Sequence, residues 1–326
     1  MRVDPELVAR FRGDLARVWP AVRAEGHSLG LAVSGGGDSL GLLLLAAAAL
    51  PGRVEAATVD HGLRAGSAQE AVFVAARCAE LGVPHAVLAV EVGQGNLQDQ
   101  ARAARYEALG QWCEDRGLCA LATAHQMDDQ VETLFMRLNR GSGLAGLSAI
   151  RAVQALPDVS LPLVRPLLGW RREELAQVVR DVGWEAVEDP SNEDDRFDRV
   201  RLRKALASAD WLDRAHIARS AALLAEAQDS LMWAVGREIA QHVRLDPQET
   251  SYAAFAGGAP LSIRVEAVRS IFRYFGSEID RRRAANLVER LIEGRTGNVA
   301  GLQFAVRGNG LARLWSFRPE NPRRTG

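Results

Sequence analysis

Cysteine is scarce in this 326-residue chain: Cys78, Cys113 and Cys119, with no Cys-x-x-Cys pair among them. An odd count at these spacings argues against a disulfide framework and against a structural zinc site. It also leaves no cysteine pair to carry sulfur. Long apolar runs are missing too. Leu42 to Leu50 is apolar but far shorter than the ~20 residues a membrane helix needs. Met1 to Pro20 mixes acids, arginines and apolar residues at helical spacing, without the unbroken apolar core of a signal peptide. A cytoplasmic protein without a membrane partner is expected. Net charge is nearly absent, −1 from 40 basic and 41 acidic residues. That balance hides an asymmetry: residues 204–326 carry 18 Lys+Arg against 13 Asp+Glu, so that they are net +5 and residues 1–203 net −6. A basic C-terminal part beside an acidic part fits a nucleic-acid partner. The apolar content of 48% and charged content of 25% are those of a globular chain, long enough for two domains.

Two common nucleotide signatures are absent. No Gly-Lys-Ser/Thr ending closes the glycine-rich stretch Ser34-Gly35-Gly36-Gly37-Asp38-Ser39, so it is not a Walker A loop. Its glycines are consecutive and an acid lies inside it, so it is not a dinucleotide fingerprint either. What remains is informative. The stretch follows an apolar strand pattern, Leu29 to Val33, and precedes a helical one, Leu40 to Leu50. Glycines at a strand-to-helix turn let the backbone approach a ligand closely, and the helix N-terminus attracts an anion. Asp38 beside bound phosphates calls for a cation between them, such as Mg²⁺.

Along the first two hundred residues, short apolar runs alternate with helical stretches. Strands are predicted at 54–59, 85–90 and 119–123, and helices at 67–81, 97–116 and 128–139. This alternation predicts an α/β fold, a doubly wound parallel sheet covered on both faces. Leu161 to Leu168 reads as an edge strand or extended segment, Arg171 to Asp181 as a helix, and Glu188 to Asp195 as a polar loop. A domain boundary is placed near Ala209, giving a catalytic domain over 1–209 and a smaller, mainly helical one over 210–326. The latter would hold a long helix or a broken pair over 212–242, helices at 263–275 and 280–293, and a short hairpin over 297–316 turning at Gly308-Asn309-Gly310.

Candidate site residues fall at the carboxyl ends of the strands, where such sheets bind ligands. Besides the glycine loop these are Asp60-His61-Gly62 after the second strand and Ala124-His125 after the fourth. Arg102 and Arg105 lie one helical turn apart on one face. Asp128, Asp129 and Glu132 share a broad helix face beside His125. Helix capping accounts for an acid in the first turn but not for Glu132. Such a cluster holds Mg²⁺ or an ammonium group.

The hexapeptide Ser34 to Ser39 resembles the pyrophosphate loop (PP-loop) of the N-type ATP pyrophosphatases. Asp60 to Arg64, Ala101 to Tyr106, Thr123 to Thr133, Arg140 to Leu144, Arg165 to Leu168 and Glu188 to Asn192 occur in the order found in tRNA(Ile)-lysidine synthases. The resemblance covers roughly residues 25–205. It departs from the pattern at Gln126, where many members carry a second histidine, and at Val200, where many carry Asn. It implies the following reaction. ATP adenylates the C2 oxygen of the wobble cytidine in the CAU anticodon of tRNA(Ile), and free L-lysine then displaces AMP. It implies that Ser34, Gly35, Gly36, Gly37, Ser39, His61, His125 and Asp128 bind ATP, with Asp38 placing Mg²⁺. Arg105 would stabilise phosphate charge or the adenylated intermediate. Asp129 and Glu132 would hold lysine, and Asn192 and Arg203 would close the site. The helix bearing Arg196, Arg199, Arg203 and Lys204 is read as a tRNA backbone contact. A PP-loop thiolase and a non-catalytic tRNA-binding paralogue stay open as alternatives. The oligomeric state, a homodimer included, is also open.

Overall fold

The computed structural model describes residues 3–60, 67–90, 97–156, 159–187, 196, 198–310 and 313–320. The chain divides into two compact units, Met1–Ala225 and Glu226–Gly326. Among the described residues, no helix is long and apolar enough to cross a membrane.

The first unit opens with α1 (Pro5–Val18), capped by the Asp4 side chain on the Glu6 N–H. The body follows as β1 (Leu29–Ala32), α2 (Gly37–Ala49), β2 (Val54–Asp60), α3 (Ser67–Leu81), β3 (His85–Ala89), α4 (Leu97–Asp115) and β4 (Ala120–Ala122). Then come α5 (Met127–Asn139), α6 (Leu144–Leu147), β5 (Val153–Ala155), β6 (Pro162–Val164), α7 (Arg172–Asp181) and α8 (Asp198–Ala207). The helix α9 (Arg214–His242) is continuous. The six strands form one sheet in the order β3-β2-β1-β4-β6-β5. All neighbours are parallel except β5, which pairs antiparallel with β6. The expected edge strand at 161–168 is therefore internal. The edge is β5, three exposed residues without an apolar pattern.

Two apolar clusters cover the two faces. Phe11 and Leu15 of α1, Leu40 to Leu45 of α2, Val74 and Cys78 of α3 and Leu175 and Val178 of α7 pack with Leu29, Leu31 and Ala56 of the sheet. Leu109, Trp112 and Cys113 of α4 pack with Ala57, Leu121 and Leu163 on the opposite side. The helix α2 is apolar nearly all round because it is buried all round, which is what such a sequence requires. Gly30 serves the other face: a Cβ there would lie 2.9 Å from the Trp112 ring and 3.0 Å from Cys113 Sγ. The strand order reverses between β1 and β4. In doubly wound sheets the crevice at that switch point, at the strands' carboxyl ends, is the ligand site.

The second unit adds β7 (Val243–Arg244), β8 (Thr250–Tyr252), α10 (Leu261–Tyr274), α11 (Arg281–Ile292), β9 (Gly297–Val299), β10 (Leu302–Arg307) and β11 (Leu314–Pro319). The expected hairpin is β10–β11, and it is the centre of a five-stranded antiparallel sheet, β7-β8-β11-β10-β9. Phe272, Val288, Phe304, Trp315 and Phe317 fill the core between that sheet and α10 and α11.

Candidate active site at the sheet switch point

The chain leaves β1 through Ser34 and turns at Gly35, whose φ of +87° favours glycine. The Gly35 carbonyl accepts from Val187 N–H at 3.0 Å. Ser39 Oγ donates to the Gly36 carbonyl at 2.9 Å and accepts from Ser34 N–H at 3.2 Å, fixing the loop from within. Gly36 caps α2 without a side-chain hydrogen bond. The first-turn N–H groups are thus left to an outside acceptor, as an anion site needs.

Across the switch point, Gln126 opens α5 with a reciprocal cap. Its Oε1 accepts from the N–H groups of Asp128 and Asp129, and Asp129 Oδ2 accepts from Gln126 N–H at 3.1 Å. Nothing in the sequence pattern marked Gln126 as functional. It is fully buried and sets the direction of both aspartates. Its amide also lowers the Asp38 pKa, although Nε2 has no partner within hydrogen-bond geometry.

Asp38, Asp129 and Glu132 surround one guanidinium. Arg172 Nε lies 3.7 Å from Asp38 Oδ2, and its Nη2 lies 3.9 Å from Asp129 and 3.8 Å from Glu132. Asp128 is turned to the start of α7, accepting from Arg172 N–H at 3.1 Å, and pairs with Arg214 at 3.3 Å. The arginines of α8 also reach in. Arg199 binds Glu132 at 2.6 Å and Asp129 at 2.5 Å, and Arg203 binds Glu132 at 2.8 Å. The helix α8, read from the sequence as a tRNA backbone contact, turns Arg199 and Arg203 inward, because the buried carboxylate of Glu132 draws both. Arg172 was not singled out from the sequence. Its position after the Arg165–Leu168 motif gave no spacing signal toward residues 38 or 132.

Electrostatics separate the acids. Burial raises the Asp38 pKa to about 6, against the Arg172 charge and with help from Asp129. Burial likewise raises Asp129, opposed by Arg199. Burial pushes Glu132 the same way, but hydrogen bonds from Arg203 and Arg199 outweigh it and its pKa is lowered. His125 bonds Thr123 through Nδ1 at 2.9 Å. Burial first, then Arg165 and Arg102, depress its pKa to about 3, so the imidazole is neutral near pH 7. Arg105 is half-buried on α4, its guanidinium 5.5 Å from the Tyr106 ring centre. His61 and Asn192 lie outside the described residues.

With this geometry in view, relatives can be compared. Residues 10–209 match the family model described as a PP-loop domain. A tRNA(Ile)-lysidine synthase of Novosphingobium aromaticivorans is 41% identical over 95% of this chain and 92% of its own length. The chain belongs to the tRNA(Ile)-lysidine synthase family. A family member from Methylobacterium nodulans is 37% identical over 91% of each chain, and one from Zymomonas mobilis is 44% identical over 68% of this chain and 70% of its own. Among solved structures, a U34-tRNA thiolase from Methanococcus maripaludis with a 4Fe–4S cluster superposes with a TM-score of 0.54. It shares 17% identity, covering 68% of this chain and 79% of the thiolase. That likeness shows the common fold. The family's PP-loop therefore sits at the switch point, with Asp38 in the first turn of α2 and the α5 acids across from it.

Proposed function

We propose that this chain uses ATP and L-lysine to convert the wobble cytidine of a CAU-anticodon tRNA(Ile) into lysidine, releasing AMP and pyrophosphate in the cytoplasm. The observation that carries the reading is the pairing, at one switch point, of a PP-loop with a split set of carboxylates, in a chain 41% identical over nearly its whole length to a tRNA(Ile)-lysidine synthase.

Ser34 to Ser39 would bind the phosphates through backbone N–H groups and hydroxyls, with His61, His125 and Asp128 lining the nucleotide. Among the described residues no group of three or more His, Cys, Asp or Glu is arranged to hold a metal alone. Mg²⁺ usually takes one or two carboxylates together with substrate phosphates, and Asp38 in the loop fits that role. Bound there, the ion would offset charge developing on the departing pyrophosphate. The cytidine C2 oxygen is a poor leaving group, and adenylation makes it a good one.

Lysine supplies an ammonium that must shed a proton before its ε-nitrogen attacks C2. Two acids with pKa values pushed apart divide that work. Glu132, held low, stays ionised and anchors the ammonium. Asp129, raised by burial, is the better proton acceptor. Both are held by arginines in this structure, so the incoming ammonium replaces a guanidinium. Beside them is a cavity of ≈ 170 Å³ bordered by Glu132, Val131, Leu206, Arg172, Arg203 and Arg214. Acid, apolar wall and cations suit a methylene chain with a charge at each end. Arg105 would steady phosphate charge, and Arg203 and Asn192 would close the site.

The thiolase reading is not favoured. Burial pushes Cys78 and Cys113 up to about 12, which keeps both thiols protonated and unreactive. The deciding experiment incubates the protein with ATP, Mg²⁺, radiolabelled lysine and a CAU-anticodon tRNA. Label in the anticodon nucleotide and matching AMP are expected. An unlabelled anticodon with active protein rejects the proposal.

A further inference from the structure

The α4 side of the same crevice carries a group of arginines. Arg102 and Arg105, one turn apart, place their guanidinium groups 5.2 and 5.5 Å from the Tyr106 ring centre. Arg165, which follows β6, is close enough to Tyr106 and Arg102 for their charges to act on it. Arg165 is 2% exposed. Its Nη1 donates to the Arg151 carbonyl at 2.6 Å and its Nη2 to Gln154 Oε1 at 3.3 Å, but its Nε is buried without a partner. Burial leads the lowering of Arg105 and Arg165, and Arg102 adds to both, while among the described residues no carboxylate counters either. Crowded, desolvated cations need an anion. They are also graded outward: Arg165 is buried, Arg105 half-buried and Arg102 exposed at the rim.

We propose that Arg102, Arg105 and Arg165 around Tyr106 form a second phosphate subsite, distinct from the PP-loop, which seats a phosphodiester of the tRNA strand next to the target nucleotide. This rests on the tRNA-modifying function proposed above. The shared chemistry is a phosphate oxyanion, and ATP itself is the other source. Three observations favour the RNA. The PP-loop follows β1, whereas these arginines stand on α4 and after β6. The acids of the site are already paired with Arg172, Arg199 and Arg203, whereas His125 feels the charges of Arg165, Arg102 and Arg105. The outward grade gives a polymer an open edge, which a triphosphate enclosed by the loop does not need. Guanidinium groups also match phosphate in a bidentate fork.

The test uses the full chain and Arg102→Gln, an exposed change. Affinity for a CAU-anticodon tRNA is measured without ATP across a range of salt, and affinity for a non-hydrolysable ATP analogue with Mg²⁺ is measured without tRNA. Arg102→Gln should weaken tRNA binding roughly tenfold at low salt. It should flatten the salt slope of log K by about 0.7, the value per single-strand phosphate contact. Analogue affinity should stay unchanged. Arg165→Lys, with circular dichroism as the fold check, should act in the same direction because an ammonium cannot replace the fork. Weakened analogue binding with an unchanged tRNA slope would give the subsite to ATP and overturn the proposal. So would no change in either ligand. A wild-type protein that binds no tRNA removes the proposed function as well, whereas wild-type lysine incorporation with an Arg102→Gln slope like wild type removes the subsite alone.

Discussion

Asp38 shows how one residue serves chemistry at the expense of comfort. Its pKa is raised to about 6 chiefly by burial. A raised carboxyl pKa means that the protonated form is favoured in the fold. The stability it contributes is therefore full below the ordinary carboxylate range and is lost as pH rises through about 6. Two outcomes follow. Mg²⁺-dependent ATP binding, which needs the ionised form, should weaken by about tenfold per unit as pH falls below 6, read by titration of an ATP analogue between pH 5 and 8. Asp38→Asn should abolish AMP formation, yet melt no earlier than wild type at pH 7.5. A clearly lower melting temperature would mean that the charge stabilises the fold. Glu132 is the opposite case, because its partners hold it ionised. If it holds lysine, Glu132→Gln should raise KM for lysine about ten- to a hundredfold, from the roughly 1.5–3 kcal/mol of a charge-assisted bond. tRNA-dependent pyrophosphate exchange should persist. Lost exchange that extra Mg²⁺ restores would reassign the acid to the metal. The sequence showed the acids but not their partners. Arg199 and Arg203 lie 67 and 71 positions from Glu132, and only tertiary packing joins them.

At the scale of elements, legibility followed apolar pattern. The strands before the glycine loop and before His125 are buried and flanked by long helical runs, so alternation exposed them and fixed the rim on which the candidates fall. The strand β5 escaped notice because its three residues are exposed. The strands β7, β8 and β9 have two or three residues each, too few for a period-two signal. A central strand can also hide a constraint behind one small residue. Gly30 faces Trp112, Cys113 and Leu118, where an added Cβ would lie 2.9–3.1 Å from their side chains. Gly30→Val should cost about 1–3 kcal/mol through overpacking. The check is a lower urea midpoint with unchanged m, and an unaltered midpoint would show that α4 shifts freely. Because α4 carries Arg102 and Arg105, a shift of that helix should also weaken tRNA binding, which separates this variant from a plain loss of stability.

Across the whole molecule, the charge split between the N-terminal and C-terminal parts suggested that the basic part meets tRNA, with Arg281, Arg282 and Arg283 as its densest cluster. The structure gives these three neighbours different employments. Arg281 bonds the buried Glu266 at 3.0 Å, a carboxylate also held by Arg269 at 2.9 Å. Arg283 lies 3.6 Å from Asp280, which caps α11. Arg282 is exposed. Neutralising the triplet together would therefore mix folding with binding. Single changes separate them. Arg281→Gln should lower the stability of the second unit by about 1 kcal/mol, since Arg269 still compensates Glu266. Arg282→Gln should leave stability alone, because an exposed charge contributes little to it. If the second unit contacts helical tRNA, Arg282→Gln should flatten the salt dependence of log K by roughly 0.9, the value for one duplex phosphate contact. Thermal melts and salt-dependent tRNA binding on the two variants decide the matter. A full salt slope for Arg282→Gln would place the tRNA contact away from the start of α11. A reduced slope for Arg281→Gln, with its melting temperature intact, would show that the arginine leaves Glu266 to bind phosphate.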